Sequence, residues 1–365
     1  MLRRAAGRPG TGNEAVIARR EHAGLQLRRI PAMRRPSQLV VLTALLLAAL
    51  LLAEPVLAAG APRVLVPSAE IGEGPSRENS GIVASRRHDD TFWMINDSGD
   101  EPRVYAVRRD GSVHGAERGT AAYIAESESA TAATDGYEKP GVYLGGAINV
   151  DWEDIALDAA GRLLVPDFGN NGNDRRDLVI YVIDEPRPTA GRTTWRQKWF
   201  FRYPEQSAFP APPDDFNYDA EALFTVDETA YVLTKHRSDT YTRLYRLTDP
   251  QPHVVNDAEL LEAFDIGGKV TGADASVDGL RLVVTTYEAL WVFERASRDA
   301  PFFSGTARRL PFAATQVEAV CFVDAAAERI LLADESDAVF FEVATSELEP
   351  LSAAELAARR MEISR

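Results

Sequence analysis

Cysteine is nearly missing from this chain: Cys321 is the only one in 365 residues. No disulfide can staple the fold, so stability has to come from burial. With 45% apolar residues that is feasible, because a chain of this length hides roughly three quarters of its surface on folding. Histidine is scarce too, at five residues, and His88, His114, His236 and His253 fall in no two-histidine spacing, which argues against zinc or copper. No G-x-S-x-G elbow, S-x-x-K motif or Cys/His pairing occurs, so nucleophilic hydrolysis lacks its usual signals. "GRPGTG" near residue 10 follows no strand and is not a phosphate loop. Helical periodicity is absent until the tail, where Ser352 and Glu355 form a capping box ahead of "LAARRM".

Long apolar runs are also rare. The one that exists, residues 39 to 53, follows Arg34 and Arg35 and precedes a small-x-small site ending at Ala58. It is short of the ~20 residues a membrane span needs and reads as a secretory signal peptide. Residues 1 to 58 therefore read as a basic extension plus signal, with Met1 or Met33 as the start, and the expected location is secreted or periplasmic. No membrane span is expected after cleavage.

Positive charge is under-represented. The full chain carries 40 basic and 55 acidic residues; without the nine Arg and three Glu of residues 1 to 58, the remaining 307 residues balance at −21. Such a surface repels nucleic acid and attracts cations. The expected partners are a small molecule, a glycan or a protein, with the chain itself monomeric.

What the sequence does have is repetition. Five segments open with a polar or acidic cluster and run into a short apolar strand: "ENSGIVAS", "DWEDIALD", "DAEALFTV", "TGADASVD" and "QVEAVCFV". Each is followed by a second strand ending in polar residues and by a third that is rich in β-branched and aromatic residues. A fourth, more polar strand fits "TTWRQKWFFRY", "LLEAFDIG" and "TARRLPFA". Four strands per repeat predict an all-β propeller. It has five blades by count, or six if the insertion at 126 to 141 holds another. The last unit lacks a fourth strand, and "RVLVPSAEI" (63 to 71) is positioned to complete it. The propeller domain is placed at 59 to 350 and a short helical tail at 351 to 365.

Innermost strands line a propeller's channel, so repeated positions become rings. Alignment of the openings puts Ser80, Glu153, Glu221, Ala273 and Glu318 at one level and Glu78, Asp151, Asp219, Thr271 and Gln316 two residues earlier. Asp97, Asp167, Lys235, Tyr287 and Asp334 end the second strands. Crowded carboxylates raise one another's pKa, and a bound cation, a shared proton or Lys235 could compensate. Oxygen ligands at irregular spacing suit Ca²⁺. The expected metal set is Asp97, Asp151, Glu153, Asp167, Asp219, Glu221, Glu318 and Asp334. "DSGDEPR" and "DFGNNGNDR" fit either oxygen-rich metal loops or plain Asx turns. Trp93, Trp152, Tyr218 and Tyr287 fit packing between blades better than a sugar-stacking platform, and Cys321 and His236 fit core and loop positions.

With "EDIALD", "EALF", "EAVCFV", "DSGD" and "DFGNNGNDR" in place, the sequence resembles the secreted bacterial β-propellers grouped as phytase-like or esterase-like, and more loosely the gluconolactonase and strictosidine-synthase propellers. The resemblance implies a Ca²⁺-binding acidic channel that, in the phytases, brings phosphate esters to bridging calciums. Carried over, Asp151, Glu153, Asp219, Glu221 and Glu318 are metal ligands and Lys235 contacts a substrate anion. The chain departs at the fourth opening, where Ala273 replaces the acid and Asp274 follows. Two functions are open at this point. One is a non-catalytic binder of a ligand over a Ca²⁺-loaded channel. The other is a metal-dependent phosphoester, ester or lactone hydrolase with Glu153 or Glu221 as general base and Lys235 beside them.

Overall fold

A computed structural model describes residues 61–75, 78–115, 139–361 and 363. The signal-peptide reading and most of the 126–141 insertion lie outside the described residues. The described chain forms five sheets, each a meander of antiparallel strands. The innermost strands are Asn79–Ala84, Ala156–Leu157, Asp219–Val226, Val270–Ala275 and Val317–Phe322, and each packs beside the next until the last meets the first. The result is a five-bladed β-propeller.

The repeat has a backbone signature. In every blade the turn from the first to the second strand contains one residue with positive φ: Asp90, Gly161, Asp227, Gly279 and Ala327. Tight hairpins need that left-handed residue to match strand twist, which is why Asp and Gly dominate the positions. The apolar faces then form five clusters, one for each pair of neighbouring blades. Trp93, Trp152 and Trp291 are fully buried in them, as is Cys321. Burial of these rings removes the sugar-platform reading for Trp93 and Trp152, whose indole N–H groups donate to Glu185 and to the Ile148 carbonyl.

Closure takes place through the N-terminal segment, as its unpaired strand character predicts. Pro67–Glu70 pairs antiparallel with Val339–Ala344 and supplies the fourth strand of the fifth blade. Arg63–Val64 continues parallel to Thr306–Ala313 of the fourth blade, so the segment straps two blades together. The fourth strand of the first blade, Val142–Gly145, was not legible in the sequence because it follows the long insertion. Four blades also gain a fifth strand from elsewhere in the chain, Arg192–Thr194, Val255–Asp257, Arg360–Met361 and Arg63–Val64. The tail helix Ala353–Arg359 carries the expected capping box, with Ser352 Oγ accepting from the Glu355 amide.

The innermost strands bulge where the sequence turns polar. Register skips one residue at Ser80, Glu221, Thr271 and Glu318. Glu153 holds the corresponding position, between the Trp152–Asp167 bridge and the Ala156–Leu164 pair. This corrects the sequence alignment of the fourth blade: the counterpart of Glu153 is Thr271, not Ala273. Thr271 Oγ1 donates to the Val317 carbonyl and Ser80 Oγ to the Trp152 carbonyl, so both hydroxyls tie one inner strand to the next. A bulge advances the strand by one residue and re-aims its side chains, and a strict two-residue period through it fails.

Below the bulges Asp154 plugs the axis. Its carboxylate accepts from the amides of Ile155, Leu223 and Ala273 at 2.8, 2.8 and 3.1 Å, and its own amide donates to the Ser80 carbonyl at 2.9 Å. One residue therefore joins four of the five blades. Burial pushes its pKa well up, and the three amide donors pull against that. Gly81 makes room: a Cβ there would lie 2.5 Å from the Asp154 Cα.

Candidate functional site: an acidic channel mouth

Above this plug, the bulged residues and the ends of the second strands surround the channel mouth. Asp97, Asp151 and Glu153 each offer a carboxylate oxygen within 4.8 Å of the others, and Glu78, Asp97 and Glu335 do the same. Asp97 belongs to both groups, so five carboxylates from the first, second and fifth blades form an arc. Glu153 is buried, Asp151 and Asp97 are half-buried, and no lysine or arginine among the described residues ion-pairs with any of the three.

Local structure fixes this arc. Asn149 donates to the Asn96 and Asp97 carbonyls at 3.2 and 2.7 Å and accepts from the Trp152 amide at 3.1 Å, which locks the second blade's opening to the first blade's loop. The Asp97 amide donates to the Glu78 carbonyl at 2.7 Å. Gly169 lies against the Asp151 carboxylate so closely that a Cβ would fall 2.5 Å from its Cγ. Asn149 escaped the sequence reading because its amide works on backbone and has no charged motif to mark it.

Electrostatics follow the crowding. Burial, then Asp97, pushes the Asp151 carboxyl up to about 7. Burial, then Glu221, raises Glu153 well above the carboxylate range. Glu335 rises to about 9 through burial and Glu318. A carboxyl held in this way keeps its proton to higher pH than usual, and a bound cation would reverse the shift.

The remaining acids predicted for the ring have other partners. Glu221 ion-pairs with Lys235 at 2.9 Å, and Lys235 also donates to the Tyr287 hydroxyl at 3.0 Å. Burial works against the Lys235 charge, but Glu221 overrides it and the pKa goes up. The Tyr287 hydroxyl donates to Glu318 at 2.8 Å, and Gln316 Nε2 donates to the same carboxylate at 3.0 Å. Asp219 is held by Arg237 at 2.6 Å and by the Asn170 amide, Asp167 by Arg175 at 2.9 Å and by the Val150 and Asp151 amides, and Asp334 by the amides of Gln316 and Asp337. Of the eight expected metal residues, three therefore gather without a base, two sit in the Lys235–Tyr287 network, and three brace the backbone.

The turn reading accounts for "DFGNNGNDR": Asn170 Oδ1 accepts the amides of Asp174 and Arg175, an Asx arrangement. His236 is buried, with Nδ1 against Asp239 at 2.6 Å, in keeping with a loop role.

No family model matches the sequence, and no curated protein matches it. Among solved structures, chains from "COPII on membranes, outer coat vertex" and "The structure of the COPII coat assembled on membranes" are similar, each at 9% identity and a TM-score of 0.42 over 79% of this chain. The alignments span 65% and 36% of those chains.

Proposed function

We propose that this protein is an exported binding propeller whose channel mouth takes a divalent cation, Ca²⁺ foremost, at Asp97, Asp151 and Glu153, and that the cation presents a small ligand or partner with an open coordination face. The observation that carries the reading is the approach of three carboxylates to within 4.8 Å, none of them ion-paired to a lysine or arginine among the described residues. Ca²⁺ takes 6–8 oxygens at about 2.3–2.6 Å, so three carboxylates leave room for carbonyls, waters or a ligand oxygen. All the donors are hard oxygens, which disfavours zinc and copper. Among the described residues no helix is long and apolar enough to cross a membrane. Export rests on the apolar run at 39 to 53 alone, and the mass of the N-terminal peptide in culture medium or periplasm checks it: a start at Ala59 agrees, an intact residue 1 or 33 does not.

Calorimetric titration of the purified protein with Ca²⁺ and Mg²⁺ tests the site. Saturable Ca²⁺ binding that Glu153→Gln and Asp151→Asn abolish is expected. Unchanged binding in both variants, or none up to about 10 mM, contradicts the reading.

A second reading adds catalysis, and one observation favours it: the proton-retaining Glu335 and the Glu221–Lys235 pair share the rim with the proposed cation. A cation that polarises an ester, an acid and a base around one mouth are the parts of metal-assisted hydrolysis. Turnover of a phosphoester, ester or lactone that disappears in both Glu153→Gln and Glu221→Gln would establish it; Ca²⁺ binding without turnover leaves the binder.

A further inference from the structure

At the outer edge of the second blade lies a pocket of about 350 Å³ that the channel does not account for, lined by Arg175, Arg176, Arg202, Phe201, Tyr203 and Phe209 among others. Its volume falls within the range of small-ligand sites. Its charge runs against the rest of the molecule: in a chain of formal charge −15, three guanidinium groups line one pocket and no carboxylate does. Two of the three are already engaged, Arg175 with Asp167 at 2.9 Å and Asp177 at 3.1 Å, and Arg202 with Asp257 at 2.6 Å. Arg176 has no ion-pair partner among the described residues. It lies over the Phe209 ring with its guanidinium carbon 3.8 Å from the centroid.

That stacking sets Arg176 apart from an ordinary solvated arginine. A guanidinium held against an aromatic face at this distance is restrained by the ring and can still offer its outer N–H groups to a planar two-oxygen acceptor. Leu178, Phe201 and Val255 supply apolar wall beside it. We propose that this pocket binds a small aromatic oxyanion, a ring bearing a carboxylate or phosphate, with Arg176 gripping the charged group, Arg202 supporting it from the facing strand, and the ring resting on the apolar wall. The site is separate from the channel mouth and does not depend on the cation reading.

Binding of benzoate, phenyl phosphate and neutral benzyl alcohol is to be compared by ligand-observed NMR on the wild type, Arg176→Ala, Arg176→Lys, Arg202→Ala and Glu153→Gln. Both anions should bind the wild type, with benzyl alcohol at least about tenfold weaker. Arg176→Ala should weaken the anions about tenfold, Arg202→Ala less, and Glu153→Gln not at all. Lysine keeps the charge but loses the flat fork, so Arg176→Lys should fall between alanine and wild type. A preference for one anion identifies the head group. Equal binding of the neutral alcohol, unchanged affinity in folded Arg176→Ala and Arg202→Ala, or no saturation up to about 10 mM overturns the proposal.

Discussion

On the side of the mouth built by the third and fourth blades and the inner strand of the fifth, buried acid is partnered from within: Glu221 has Lys235, and Glu318 has Tyr287 and Gln316. On the side built by the first and second blades, Asp97, Asp151 and Glu153 meet without an ion-pair partner among the described residues, and Arg175 and Lys235 reach Asp151 and Glu153 only through space. Both sides use the same bulge at the top of an inner strand, so backbone geometry does not separate them. The end of the second strand separates the third and fourth blades from the rest. Lys235 ends it in the third blade and Tyr287 follows it in the fourth, whereas Asp97 follows it in the first blade and Asp167 and Asp334 end it in the second and fifth. The repeat therefore builds a side whose acids are paired and a side whose acids are not, and the proposed cation belongs to the second.

The comparison breaks most visibly at Lys235. Lys235→Met leaves Glu221 buried without its partner and should cost about 3–5 kcal/mol in urea unfolding. A cost below about 1 kcal/mol would mean that the paired side is not held by this pair. Next in size, saturating Ca²⁺ should raise wild-type stability by about 2.7 kcal/mol at a hundredfold excess over Kd. Glu153→Gln should lose that gain and, by relieving repulsion, stabilise the cation-free protein by about 1 kcal/mol. If instead Glu153→Gln weakens the cation-free protein, the unpaired side is not in electrostatic conflict.

The pH dependence sharpens the same contrast. Asp151 rises to about 7 at the mouth. Asp274, in the fourth blade's inner strand, is pushed by burial up to about 7, with the Phe322 amide opposing. Part of the Asp274 surface is accessible, but protein encloses it densely, and that crowding governs its titration. Folded-state pKa values above the unfolded value of 3.8 mean that these two carboxyls hold their protons more tightly in the folded protein, so their contribution to stability is full at low pH and declines as pH climbs from about 4 to about 7. Thermal melts across that window should show the decline. Ca²⁺ should flatten the share due to Asp151, and Asp274→Asn its own share; a decline untouched by either assigns the wrong groups. The smallest effect is expected for Tyr287→Phe, about 1 kcal/mol, since Lys235 keeps Glu221 and Glu318 keeps Gln316.

Much of the architecture was legible because it is periodic. The apolar strands, the Asp and Gly turns and the leftover strand before the first repeat point to a closed propeller of five or six blades, and the pairing of the strands gives five. The ring was only half legible. Glu153 and Glu221 look alike in "EDIALD" and "EALF", and nothing in either motif says that Lys235 ion-pairs with the second and not the first. Arg175 and Arg237, which neutralise Asp167 and Asp219, come from loops of unequal length that carry no repeat signal. Asp154 was hidden for a different reason: beside Glu153 it reads as one more acid of the cluster, whereas a positive φ of 64° turns it onto the axis, where it holds backbone amides of distant blades. The bulges also shifted the fourth blade by two positions, and only pairing register reveals that.

Whether a cation completes the side of the mouth where Asp97, Asp151 and Glu153 meet is decided by diffraction from crystals soaked in Mn²⁺, an anomalous stand-in for Ca²⁺. One strong anomalous peak is expected, bonded to carboxylate oxygens of Asp97, Asp151 and Glu153 at about 2.1–2.4 Å, slightly inside the Ca²⁺ range, and displaceable by Ca²⁺. A mouth without a peak, or a peak beside Glu221 and Glu318 instead, would contradict it.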